Sequence, residues 1–365
     1  MIAGKIRVID AELGTDTWQT LIGVGPEAKH SSLVMGTALV DMYSTSSEPG
    51  YEQRETLDQL RQLAEQGGFA RVAVLPHTLP PIDNRTTAQF WHRLGQPLLA
   101  WGSLTVGLKG EQMTDLADLA DWVVGFTDAR PIANWELLRR LLEYVKPLGK
   151  PVMLMAQDRN LAGQGVMREG KWSVQCGLAG IPVTAETAVL AGLLELVRLT
   201  QTPTHFMRIA SARAVALIAQ AKADDLPVTA STTWLHLCFS DRATSSYDPR
   251  YKVNPPLPSE QDRLALIEGV KTGVIDAIAV DHIAYTYEEK MVAFESAPWG
   301  TTGLAEALPQ LWRTLVQTQL LPPLTLWQAL SSRPAKCLGI PVPKEKIWFD
   351  NHTCQLIPAP NYASY

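Results

Sequence analysis

The side chains that could do chemistry in this 365-residue sequence are few, and most of them end apolar runs. Asp128 follows Phe126-Thr, Asp281 follows Ala279-Val, and Asp41 follows Leu39-Val. His77 and His282 stand in similar places, and Arg208 closes His205-Phe-Met-Arg208. Carboxylates and imidazoles at strand ends are the groups that hold a divalent metal or pass a proton. The simpler reading is structural: Asp281 pairs with a neighbouring cation such as Arg208, Asp41 bonds the turn after its own run, and the histidines are satisfied where they sit. Cys176 has no identifiable histidine partner, which leaves it a plain thiol. Gly163-Gln-Gly165 and Gly300-Thr-Thr-Gly303 do not match a phosphate-cradling loop.

The elements that must position these groups alternate regularly. Apolar runs at 33–42, 69–75, 98–106, 121–127, 151–155, 204–209, 227–233 and 274–280 have the length and the Val, Ile and Leu content of strands buried on both faces. Helical stretches at 52–66, 86–94, 134–145, 185–199, 212–223 and 259–271 separate most of them. The clearest is 134–145, with Asn134 as its cap and Trp135, Leu138, Leu141, Leu142 and Val145 on one face. Eight such strands predict an α/β fold of the (β/α)8 TIM-barrel type over residues 33–342, preceded by a small β segment over 1–32 and followed by an irregular Pro-rich tail over 343–365. In a barrel the loops after the strands carry the chemistry, so the longer loops at 160–182 and 239–258 are expected to cover the site face.

In this order, the strand-end strings resemble dihydroorotases of the longer bacterial class, within the cyclic amidohydrolases. Asp41-Met with Glu48-Pro-Gly-Tyr-Glu52 is similar to the family's first-strand segment, and Leu75-Pro-His-Thr-Leu-Pro80 with Asp83-Asn84 to its second. Gly165-Val-Met-Arg-Glu-Gly170, Tyr251-Lys-Val-Asn-Pro-Pro-Leu257, Asp281-His282, Glu288-Glu-Lys290 and Ala297-Pro-Trp-Gly300 continue the series. The resemblance implies a metal-dependent amidohydrolase barrel with one or two zinc ions, a place in pyrimidine biosynthesis, and interconversion of dihydroorotate and N-carbamoyl-aspartate. That reaction needs a metal-activated hydroxide, a Lewis acid on the ring carbonyl and a carboxylate to shuttle the proton.

The sequence departs from the family at its metal positions. The two histidine positions of the first strand are Tyr43 and Thr45, that of the fifth strand is Met155 and that of the sixth is Arg208. A thioether is soft and a guanidinium stays charged, so this set does not suit catalytic zinc. Asp128 fills the acidic position of the fourth strand, and Asp281 remains as a vestigial acid/base group and metal position. On the substrate side the family's carboxylate-binding arginine is Ser47, its asparagine is His77, and its histidine after Asp281-His282 is Tyr285, while Asn254 is retained. Tyr43, Met155 and Arg208 are expected to fill the former metal cavity.

Composition fits this picture. Apolar residues make up 46% and charged residues 19%, which excludes a disordered chain. A net charge of −5 disfavours nucleic acid, no apolar run is long enough to span a membrane, and the scattered cysteines are those of a reduced cytoplasmic protein. The leading expectation is a dihydroorotase-like protein that holds no cofactor, has lost hydrolysis and serves as a structural or regulatory partner. By family resemblance that partner is aspartate transcarbamoylase, and the chain is also expected to form homo-oligomers. The alternatives are a zinc-dependent dihydroorotase or other cyclic amidohydrolase with a rearranged site, and a small-molecule binder with Arg208 as its anion clamp.

Overall fold

A computed structural model of the chain describes residues 3–22 and 32–358; parts of the segments 1–32 and 343–365 read above lie outside them. Fifteen strands are present among the described residues: β1 (Ala3–Asp10), β2 (Thr15–Ile22), β3 (Leu33–Thr37), β4 (Leu39–Ser44), β5 (Phe69–Val74), β6 (Leu98–Gly102), β7 (Gly125–Phe126), β8 (Val152–Met155), β9 (Met167–Arg168), β10 (Gly180–Ile181), β11 (Thr204–Met207), β12 (Val228–Thr233), β13 (Ala277–Ala279), β14 (Lys346–Asp350) and β15 (Gln355–Ile357). Eight of them, β4–β8 and β11–β13, form one all-parallel sheet in sequential order. This is the expected barrel.

Period-two alternation explains how one run feeds two cores. Along β8, Val152 and Leu154 point outward against the helices, whereas Met153 and Met155 point into the barrel. Val40, Met42, Ala73, Trp101, Met207, Ala277 and Ala279 join the inner layer, and the helix Ser332–Leu338 closes its lower end through Ala335 and Leu338. The outer layer is covered by amphipathic helices. Asn134 caps Trp135–Val145, Ser211 caps Ala212–Ala223 and Ser259 caps Glu260–Thr272, each through its side-chain oxygen.

The seam between β13 and β4 is closed partly by side chains. Asp281 N–H donates to Tyr43 O (3.1 Å) and Thr45 N–H to His282 O (2.8 Å). Between them Val280 N–H donates to Asp41 Oδ1 (2.7 Å) and His282 N–H to Ser44 Oγ (3.1 Å). Asp41 is fully buried, and burial pushes its carboxyl up to about 7 against the hydrogen bonds it accepts from Ser44 and Val280. Its role thus reaches beyond its own turn, to the last strand.

Two expectations are corrected. The run 33–42 is not one strand: it breaks at Ala38, so that β3 belongs to the small sheet and β4 to the barrel. Nor is the part of the tail that falls within the described residues irregular. β14 pairs antiparallel with β3, and β15 with β14, giving a five-stranded sheet in the order β15-β14-β3-β1-β2. The small sheet is therefore built from both ends of the chain. Phe349 turns one face toward Trp312 and Trp327 (ring centroids 5.2 and 6.3 Å), while Trp348 packs with Ile6 and Leu33 on the other. Gly36 is required there, because a Cβ would stand 2.2 Å from the Trp327 indole, whose N–H donates to Thr37 O. No helix among the described residues is long and apolar enough to cross a membrane.

Candidate functional site

The carboxyl ends of the barrel strands surround a cavity of about 500 Å³. Thr45, Ser47, His77, Met155, Arg208, Asn254, Asp281 and Tyr285 all line it, so the strand-end positions picked from the sequence converge. Tyr43 lies beneath them, fully buried. Asp128 stands apart on an adjoining groove, its carboxylate turned into the structure to accept from Leu104 N–H (2.8 Å), Thr105 N–H (3.0 Å) and the Thr105 hydroxyl. Burial raises the Asp128 carboxyl above its ordinary range, and these bonds oppose the rise.

The floor of the cavity is one bonded cluster. Arg208 Nε donates to Asp281 Oδ2 (2.8 Å) and Nη2 to Oδ1 (2.5 Å), a two-toothed ion pair whose side chains are only 9% and 13% exposed. Nη1 reaches Met155 Sδ at 3.6 Å, and the Arg208 backbone N–H donates to Tyr43 Oη (3.1 Å). The tyrosine hydroxyl lies 3.2 Å from Ser231 Oγ, which is 2.7 Å from His205 Nε2, and His205 Nδ1 is 2.8 Å from Thr229 Oγ1. Burial works against the guanidinium charge, but the Asp281 carboxylate outweighs it and holds Arg208 above its usual value. Burial, reinforced by Lys222, drives His205 down to about 3, which makes it a neutral link.

Other polar side chains of the mouth also hold partners. Gln157 and Asn254 exchange two amide hydrogen bonds (2.8 and 3.1 Å) across the cavity wall. Tyr285 donates to Trp299 O (2.8 Å) and carries Arg54 and Lys290 over its ring at 5.0 and 5.1 Å. His282 is buried, with Nε2 2.8 Å from Glu55 and Nδ1 accepting from Gly303 N–H. His236 sits between Thr233 and Pro255 O. His77 differs: burial, with the charges of Arg130 and Arg208, lowers it to about 3, and its Nε2 has no partner.

The zinc that the resemblance implies does not fit these residues. Imidazole or carboxylate oxygen must meet the ion, and here a tyrosine, a threonine, a thioether and a guanidinium hold the four histidine positions. Both oxygens of Asp281 already accept from Arg208. Among the described residues no three His, Cys, Asp or Glu side chains are grouped as metal ligands. The alternative role of Arg208 as an anion clamp is corrected as well, since its fork is occupied by Asp281. The sequence reading passed over Arg54, Arg130, Gln157 and Arg159, which also line the cavity. Arg130 had a signal, for it ends Thr127-Asp-Ala-Arg130 at the mouth of β7.

The eight-stranded parallel barrel, the side sheet and the strand-end cavity define a protein of the (β/α)8-barrel class. Among solved structures, the L-hydantoinase (dihydropyrimidinase) of Arthrobacter aurescens superposes with a TM-score of 0.75 at 17% identity, covering 92% of this chain and 81% of that one. A dihydropyrimidinase from Brevibacillus agri gives 0.75 at 16% identity, covering 96% and 86%. At such identities the likeness shows the fold. No family model matches the sequence. A probable dihydroorotase-like protein of Synechocystis is 46% identical over 355 residues, covering 87% of this chain and 80% of that protein. A dihydroorotase of Pelotomaculum thermopropionicum is 37% identical over 347 residues, covering 93% and 80%. The chain belongs to the dihydroorotase family.

Proposed function

We propose that this chain is a dihydroorotase homologue in which zinc-dependent hydrolysis has been lost, retained as a structural or regulatory partner in pyrimidine biosynthesis. The observation that carries the reading is the buried Arg208–Asp281 pair. Hydrolysis of dihydroorotate needs a carboxylate free to take and return a proton beside an activated hydroxide. Both oxygens of Asp281 accept from a permanent cation, so neither is turned to a substrate, and Arg208 stands where the family keeps a ligand. The first candidate partner is aspartate transcarbamoylase, a choice resting on family resemblance, and self-association is expected on the same ground. Leu79, Tyr287 and Met291, exposed apolar side chains on the segments that follow β5 and β13, support a surface that meets another protein.

The test has two arms. The zinc-treated chain is assayed for dihydroorotate turnover, with Asp281→Asn beside it; the expected result is no turnover above background in either. Turnover that Asp281→Asn abolishes would overturn the loss of catalysis. Gel filtration of the chain with aspartate transcarbamoylase, and alone, then tests the partner: co-elution is expected, and separate elution at all concentrations removes that candidate.

A further inference from the structure

The end of the barrel opposite the mouth holds a second cavity, of about 580 Å³. It lies at the amino ends of β8, β11 and β12, where Pro151, Pro203 and Pro227 precede the strands. The helix Ser332–Leu338 forms its other side through Arg333, Lys336 and Cys337. This end of a parallel barrel ordinarily carries stability rather than chemistry. Its charges do not fit that role. Every other arginine that is buried or half-buried among the described residues forms an ion pair with a carboxylate; Arg333, half-buried, forms none. Its Nη1 donates to Val270 O (3.1 Å) and its Nη2 reaches Gln328 Oε1 at 3.4 Å, two neutral acceptors that leave the charge unmatched. Burial holds Arg333 below the usual arginine value, against the pull of Asp276.

The one carboxylate of this cavity is already engaged. Asp276 Oδ2 accepts from Lys222 Nζ (2.7 Å) and from Ala230 N–H (2.8 Å). Lys336 is exposed and forms no ion pair among the described residues, so the surplus positive charge lies on Arg333 and Lys336. A part-buried cation without a counter-charge weakens the fold unless an anion meets it. The wall is a second observation, independent of charge. Its polar side chains are committed to one another or to the backbone: His205 Nδ1 lies 2.8 Å from Thr229 Oγ1, and Thr204 donates to Thr202 O (2.9 Å). What remains is apolar, namely Leu226, Val228 and the prolines.

We propose that this lower cavity is a pocket for a small organic anion with an apolar body: its carboxylate or phosphate group meets Arg333 and Lys336, and its body lies against Pro203, Leu226 and Pro227. Arg333 and Lys336 stand three residues apart on one helix face, so a single oxyanion can span both. A mostly apolar wall with a few convergent charges, around a volume of this size, is the make-up of a small-molecule site. The pocket shares no lining residue with the cavity at the mouth, and it depends neither on the loss of hydrolysis nor on a protein partner.

Calorimetric titration of the full chain with phenyl phosphate, benzoate and inorganic phosphate tests the pocket. Phenyl phosphate or benzoate binds, and binds more tightly than inorganic phosphate. Lys336→Glu lowers that affinity at least ~10-fold at an unchanged thermal midpoint, its side chain being exposed and unpaired. Arg333→Gln lowers it at least as much; should that variant fail to fold, Lys336→Glu decides alone. Arg130→Ala, at the mouth, leaves the affinity where it was. Neither organic anion giving heat at millimolar concentration, or an affinity unmoved by the changes at Arg333 and Lys336, would overturn the proposal. A fall in affinity on Arg130→Ala would also overturn it, by placing the anion at the other end of the barrel. Equal affinities for phenyl phosphate and inorganic phosphate would overturn the part assigned to the apolar wall.

Discussion

Arg208 and Arg130 both stand at the carboxyl ends of barrel strands, yet they live under opposite conditions. Arg208 is buried and bound along its fork by Asp281, with Met155 and Tyr43 against its remaining sides. Arg130 is exposed and without a close counter-charge. The floor of the mouth is thus internally neutral, a polar core that asks for nothing further, while its wall carries unspent cations and an unsatisfied imidazole nitrogen. The difference separates what has been sealed from what has stayed open. The positions that the family resemblance assigns to metal ligands hold a charge pair, whereas the space in front of them is open.

The comparison breaks most easily at the floor. Asp281→Ala leaves a buried guanidinium unpaired and should destabilise the fold by about 3–5 kcal/mol, read by chemical denaturation. A loss under ~1 kcal/mol would show that water reaches Arg208 freely. Asp128→Ala strands the Leu104 and Thr105 amides and should cost about 2 kcal/mol by the same assay, with zinc binding unaffected.

The seam offers a pH test. Asp41 titrates near 7 when folded, against ~3.9 in an unfolded chain. A raised carboxyl stabilises fully below its unfolded value, and that stability is lost as pH rises toward 7, because the native state binds the extra proton. Asp41→Asn, which mimics the protonated form, should flatten the stability profile between about pH 4 and 7 and be the more stable protein above it. Parallel profiles for the two proteins would contradict the assignment.

Smaller effects sharpen the contrast. Arg54–Glu289 is a half-exposed pair, and Arg54 also lies 4.6 Å over the Tyr51 ring, so Arg54→Ala should cost only about 0.5–1 kcal/mol. Arg208→Met with Asp281→Leu replaces the buried pair by apolar side chains of similar volume. It should recover most of what Asp281→Ala loses, since a buried ion pair and a well-packed core are near in free energy.

Much of this was legible from residue types alone. Alternating apolar runs marked the barrel, and strand ends brought Tyr43, Met155, Arg208 and Asp281 together because a parallel barrel turns all its carboxyl ends to one face. The break at Ala38 was hidden, for a continuous apolar run does not reveal that its two halves join different sheets. Lys346-Ile-Trp-Phe-Asp350 carries the branched and aromatic residues of a strand, but follows a Pro-rich stretch that reads as coil, and its partner β3 lies some three hundred residues away. Whether Arg130 is paired depends on which carboxylate bends toward it, and Asp128 bends toward Thr105 instead. Spacing along the chain carries no trace of that choice. The same holds for Asp41, which was read as bonding its own turn: the Ser44 bond belongs to that turn, and the Val280 bond across the seam does not.

The central claim is that a guanidinium–carboxylate pair has taken the place of a metal centre, and zinc stoichiometry tests it most directly. The purified chain is incubated with excess zinc, desalted, and its metal measured by inductively coupled plasma mass spectrometry. The account predicts far less than one ion per chain, with no change in the thermal midpoint on adding chelator. One tightly held ion per chain, lost on Asp281→Asn, would contradict it.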